Sequence, residues 1–125
     1  MAEVPAPGNL VRAECLRLLA GVAVGRVVFT IGAMPAAQPV AYTLVKDEVI
    51  FQAAAGSALA LASHHAVVAF QADDIDPLSN AGWSVVGVGQ AYEIAEPTLS
   101  TAFDTGACTI AIPLQRLTGH RLQLT

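Results

Sequence analysis

The chain begins with a helical period and then changes to a strand period. From residue 10 onward, Val11, Cys15, Leu18, Leu19 and Val22 recur at helical spacing, with Arg12, Glu14 and Arg17 on the opposite side. That pattern predicts an amphipathic helix over residues 10–20. Asn9 is placed to cap it and Gly21 to stop it. Apolar runs of strand length follow. Residues 24–31 predict a first strand, and Gly32, Ala33, Met34 and Pro35 turn the chain. Residues 38–45 predict a second, Lys46-Asp47 a tight turn, and residues 48–54 a third. Short strands at this spacing pair antiparallel.

Gly56-Ser57 then breaks the pattern, and Ser57 is placed to cap a short helix over 58–63. Residues 66–72 predict a buried fourth strand, carrying Val67, Val68 and Phe70. An acidic loop over 73–80 leads to the best long-strand candidate, residues 82–95. Val85, Val86, Val88, Tyr92 and Ile94 are strand formers there, and Gly82, Gly87 and Gly89 punctuate them. Glycines inside a strand mark bulges, bends or close backbone approach. Pro97 suits the start of a short helix to about residue 103. Residues 108–117 predict the last main strand, with Ile110, Ile112 and Leu114 alternating and Pro113 arguing for an edge or a bulge. Gly119 is expected to kink the chain before 121–124.

The sum is six strands, an N-terminal helix and two short inserted helices. A mainly β protein of this size removes its sheet edges by closing into a small barrel. Residues 1–8 read as a loose tail, and 9–125 as one domain.

Composition adds a partner. Charged residues make up 13% of the 125 and hydrophobic ones 54%, against about 25% charged in an ordinary soluble domain. So few charges leave apolar surface that a second copy of the chain would cover, which predicts a homodimer; an alanine-rich composition inflating the count is the alternative. The net charge of −4 and the scattered cations exclude a basic stripe, so no nucleic acid is expected. No apolar run reaches the length of a membrane span. No secretion signal is read at residues 1–9, and Cys15 and Cys108 show no metal spacing. These features predict a cytoplasmic protein with reduced thiols.

Candidate chemistry is sparse. The aspartates at 73, 74 and 76 lack the spacing of an EF-hand loop and read as a solvated loop. Ser57 and Ser84 lie outside any G-x-S-x-G elbow, which excludes that class of hydrolase. His64-His65 read as a polar helix end, with a phosphate-binding cation as the alternative. His120-Arg121 read as solvated. Trp83 is either a ligand contact or a core or interface anchor. Tyr42 either lines a site or faces outward from its strand.

Several stretches together resemble the pyridoxamine 5′-phosphate oxidase-like family, the FMN-binding split barrels. They are Val24-Gly25-Arg26-Val27, Pro39-Val40-Ala41-Tyr42, Val49-Ile50-Phe51 before Gly56-Ser57, Val68-Ala69-Phe70, Gly82-Trp83-Ser84-Val85-Val86 and Leu117-Thr118-Gly119-His120-Arg121. The chain is similar in particular to the actinobacterial branch that also resembles nitroimidazole-resistance proteins. The resemblance implies a six-stranded antiparallel, Greek-key-like split barrel that dimerises with FMN in two clefts between the copies. It implies flavin-dependent oxidoreductase chemistry on a small molecule, with the deazaflavin coenzyme F420 replacing FMN in some relatives. It places cofactor contacts at Pro39, Val40, Ala41, Tyr42, Phe51, Gln52, Ala53, Gly56, Ser57, Trp83 and Ser84. The sequence departs from the family pattern at the phosphate. Gln52 and Ala53 stand where Arg and Thr are usual, and Ala58 stands where Lys is usual. A non-catalytic dimer with a degraded phosphate site is therefore the alternative expectation.

Overall fold

The computed structural model describes residues 8–94 and 106–125. Helix α1 (Arg12–Ala20) precedes strands β1 (Val24–Ile31), β2 (Met34–Val45) and β3 (Glu48–Ala54). Helix α2 (Ala58–Ala62) follows, then β4 (Val67–Ile75), β5 (Ala81–Gln90), β6 (Tyr92–Glu93), β7 (Ala107–Pro113) and β8 (Arg116–Gln123). Eight strands, all antiparallel, form one sheet in the order β6-β7-β3-β2-β1-β4-β5-β8. The sheet curls into a half-barrel around the core. The helix expected over 97–103 and nearly all of the tail lie outside the described residues.

Two predicted strands are each divided. The long strand ends at Gln90: the buried Ala91 still donates its N–H to Ala66 O in the β4–β5 register, and Tyr92 then pairs with Ala111 of β7. The last strand breaks after Pro113, which has no N–H to donate. Leu114 N donates to Asp47 O and Gln115 N turns back to Pro113 O. The chain then leaves β3 for the opposite edge, where β8 pairs with β5.

Three other boundaries are corrected. Asp73 and Asp74 belong to β4, where they pair with Ser84 and Trp83. The loop is confined to residues 76–80, tied by the Asp76 carboxylate accepting from Leu78 N. The β1–β2 turn is only Gly32-Ala33, both at positive φ, a two-residue hairpin that starts β2 at Met34. Pro35 and Pro39 are tolerated in β2 because that half of the strand pairs with β1 alone. Asn9 does not cap α1. It bridges His120 of β8, and its Oδ1 lies 2.6 Å from His120 Nδ1. Val11 takes the cap position with no side-chain bond. Gly119 lies within β8, and its missing side chain leaves room for Cys15 of α1.

The core follows the strand alternation. Val27 and Phe29, Val49 and Phe51, Val68 and Phe70, Trp83 and Val85, and Ile110 and Ile112 point inward. Cys15 and Leu19 of α1 join this core, as does Leu59 of α2. Ser57 caps α2 as expected, its Oγ accepting from Ala60 N at 3.2 Å.

The curl depends on close backbone approach at β5. A Cβ on Gly89 would overlap the carbonyl oxygen of Pro113, which is main chain and cannot rotate away. Gly89→Ala is therefore expected to lower stability by about 3 kcal/mol, read as a reduced urea midpoint with an unchanged slope.

Candidate functional site

The described residues form a groove of about 440 Å³ on the outer face of β2, β3 and β7. Its lining is Ala41, Tyr42 and Thr43 from β2, Ile50, Phe51 and Gln52 from β3, and Thr109 from β7. The register explains the grouping. Tyr42 pairs with Phe51, Thr43 with Ile50, and Gln52 with Thr109. Side chains alternate across a strand. Tyr42 and Phe51 therefore enter the core, and the groove meets their backbone. Ala41, Thr43, Ile50, Gln52 and Thr109 face outward and form the walls.

Tyr42 sets this parity. Its hydroxyl donates to Leu19 O at 2.5 Å, and its ring packs edge-on against Phe70 with centroids 4.6 Å apart. Burial pushes its phenol up to about 12. The side chain is thus committed to the core and not to a ligand.

The expected site residues separate into four groups. Ala41, Tyr42, Phe51 and Gln52 line the groove. Pro39 lies further along β2 opposite Arg26, Val40 is buried, and Ala53 is buried opposite Cys108. Gly56 and Ser57 stand beyond β3 at the start of α2. Trp83 and Ser84 are on β5, three strands from β2 in the sheet. Trp83 points inward at 8% exposure and borders a smaller cleft with Arg17, Leu18, Gly21, Val22 and Asp74. Ser84 points outward and accepts from Gln71 Nε2 at 3.2 Å. Within one chain, then, Trp83 and Ser84 do not reach the groove.

Thr43, Ile50 and Thr109 were not expected at the site. The first two follow from parity once Ala41 and Gln52 are taken as outward. Thr109 requires the β3–β7 pairing, which joins residues far apart in sequence and leaves no local signal.

The groove's chemistry is uncharged. Ala41 and Ile50 offer small and apolar surface. Two hydroxyls and one amide, each able to donate and accept, come from Thr43, Thr109 and Gln52. This suits a planar ring with mixed polar edges. It does not suit a phosphate, which is ordinarily gripped by Arg or Lys.

An eight-stranded antiparallel sheet curled into a half-barrel, with two short helices, is a split barrel. The chain belongs to the family described as pyridoxamine 5′-phosphate oxidase, whose profile matches residues 11–120. An uncharacterized protein of Mycobacterium tuberculosis is 43% identical over 94 residues, covering 71% of this chain and 62% of that one. Among solved structures, the FAD binding protein from Mycobacterium smegmatis superposes with a TM-score of 0.78 at 29% identity, covering 92% of this chain and 97% of that one. A FAD-binding protein from Mesorhizobium loti has a TM-score of 0.77 at 16% identity, covering 92% and 97%; at that identity it supports the fold alone.

Tyr42→Phe removes the donor to Leu19 O and is expected to cost about 1–2 kcal/mol at neutral pH. The unfolded chain's phenol ionises near about 10, while the folded one holds its proton to about 12. The unfolded state sheds the proton first, so stability falls as pH rises across that window. Tyr92, raised by its hydrogen bond to Glu48, titrates in both proteins. The difference between wild type and variant in alkaline urea titrations therefore isolates Tyr42 and should shrink from pH 10 to 12.

Proposed function

We propose that this chain is a flavin-binding split-barrel protein that works as a homodimer and serves flavin-dependent oxidoreduction of a small molecule. One observation carries the reading: the groove over Ala41, Thr43, Ile50, Gln52 and Thr109. Its volume of about 440 Å³ falls within the usual range for small-molecule sites, about 300–1,000 Å³. Its walls suit the ring end of a flavin. The name of the Mycobacterium smegmatis structure, a FAD binding protein, supports the same class of ligand.

A bound flavin would supply the redox chemistry, by electron or hydride transfer. The chain's part is positional. Ala41 and Ile50 would give the ring a flat apolar seat and keep water from one face. Thr43 and Thr109 would orient its polar edge through neutral hydrogen bonds.

The dimer is supported by the outer face next to the groove. Val24 and Val28 of β1 and Val67 of β4 are large apolar residues left exposed, at 58%, 38% and 68%. Among them lie Arg26 and Asp73, one charge of each sign. A twofold axis brings a patch against itself, so a patch holding both signs is self-complementary. Two free thiols, Cys15 and Cys108, are in keeping with a reducing, cytoplasmic setting. No described helix is long and apolar enough to cross a membrane.

A second reading keeps the dimer and removes the catalysis. It is favoured by the uncharged phosphate end, where Gln52, Ala53 and Ala58 replace the usual Arg, Thr and Lys. The two readings part on one experiment. Purified protein is mixed with excess FMN, passed through gel filtration and scanned in the visible. Flavin absorbance that travels with the protein is expected, at a stoichiometry near one per chain; a flat spectrum would overturn the flavin reading and leave the second. The same column, calibrated for mass, should return twice the chain mass, and a monomer would refute the homodimer.

A further inference from the structure

We propose that the groove holds a flavin by its ring system alone, without gripping the phosphate, so that riboflavin and FMN bind equally well. This rests on the flavin reading above.

The argument is an inventory of positive charge. The chain has six cations in all: Arg12, Arg17, Arg26, Lys46, Arg116 and Arg121. None of them lines the groove. Arg12 donates to Leu114 O at 2.8 Å and lies 3.5 Å from Asp47. Arg17 donates from Nε to Glu14 at 2.8 Å, and Arg121 lies 3.5 Å from the same carboxylate. Arg26 donates to Gln71 Oε1 at 3.0 Å and lies 3.8 Å from Asp73. Four of the six are thus engaged elsewhere.

The other two are at the wrong ends. Lys46 occupies the β2–β3 turn, beyond the groove-lining pair Thr43 and Ile50, and does not line the groove. Arg116 starts β8, paired with Val88 at the far edge of the sheet. The sequence of residues 95–105 contains no Lys or Arg, and neither does that of residues 1–7. A second copy of the chain brings only the same six. Arg26, on the outer face, already has its charge offset by Asp73 at 3.8 Å and one nitrogen bonded to Gln71, which weakens what it could offer a partner's ligand.

Riboflavin and FMN differ only by the phosphate. A charge-assisted hydrogen bond to a phosphate is ordinarily worth about ten- to a hundredfold in affinity. A site that makes such bonds prefers FMN by at least that factor. A site that holds the ring through neutral hydrogen bonds and apolar contact does not distinguish the two.

The test is a pair of fluorescence titrations of the purified full chain with riboflavin and with FMN. They are run at about pH 8, where imidazole carries little charge, and at about 0.15 M salt. Two dissociation constants within about threefold of each other are expected. Ala41→Phe, at an exposed outward position, fills the groove and should weaken both ligands at least tenfold while the circular dichroism spectrum is unchanged. A preference for FMN beyond threefold would overturn this inference and leave the flavin reading standing. Undiminished binding by a folded Ala41→Phe protein would overturn the assignment to this groove. Failure of both ligands to bind the wild type would overturn the inference together with the flavin reading.

Discussion

The groove exists because Tyr42 points inward. A strand has only two faces, and one residue locked into the core decides the face of every neighbour. Tyr42 is locked by its hydroxyl on the α1 carbonyl of Leu19 and by its edge-on ring contact with Phe70. Its hydrogen bond also ties helix and sheet together. Gly25 completes the arrangement: a Cβ there would overlap the Phe70 ring, so a glycine opens the space that ring occupies. Once Tyr42 is inside, Ala41 and Thr43 must be outside. The pairing of Tyr42 with Phe51 carries the parity to β3 and that of Gln52 with Thr109 carries it to β7. A site spread over three strands thus traces to one buried phenol.

The energetic character of that site follows from charge scarcity. With six cations in the chain, and four held in ion pairs with Glu14, Asp47 and Asp73, little electrostatic binding remains for an anionic ligand. Those pairs are exposed or half-exposed, so they contribute little to stability. Their consequence is that four of the six cations already face carboxylates, and none of them lines the groove. The polar groups left in the groove are neutral, and neutral hydrogen bonds are weaker but tolerant of ligand charge.

The strands that sequence made legible were those with clean local patterns. Residues 24–31 and 48–54 are short, mostly apolar runs bounded by turn residues, and they match β1 and β3 to the residue. Ser57 followed by an alanine-rich run gave away α2 in the same local way. Elsewhere, long-range pairing overrode local signals. Asp73 and Asp74 have poor strand propensity, yet β5 supplies partners for both, so they extend β4. Asn9 is a good capping residue, but His120, 111 positions away, claims it. Pro113 argued for an edge or a bulge within a strand running on to residue 117, and the strand ends at that proline instead. That it sends the chain to the opposite edge of the sheet is a matter of topology and not of propensity. The site divides in the same way. Ala41 and Gln52 came from a recognisable pattern, and Thr109 from pairing alone. Trp83 was open to two readings, a ligand contact or a core or interface anchor, and the structure places it inward at the edge of the core beside Asp74 and Arg17.

The outer face beside the groove shows how a charge-poor chain can prepare a surface for burial. Arg26, Gln71, Asp73 and Ser84 form a connected set there: Gln71 accepts from Arg26, and donates to both Asp73 and Ser84. Burying an unpaired charge is costly, whereas burying one already paired and hydrogen-bonded costs far less. Around this set lie Val24, Val28, Ala69, Val86 and Val88, in register across β1, β4 and β5. A second copy covering the face would therefore gain apolar contact while the polar groups keep the partners they already have. The glutamine is central to that economy. Its amide donates and accepts at once, so it links a cation to an anion that lie 3.8 Å apart. In the proposed dimer, losing the Gln71 amide would leave Arg26 and Asp73 with only each other, at 3.8 Å, when the face is covered.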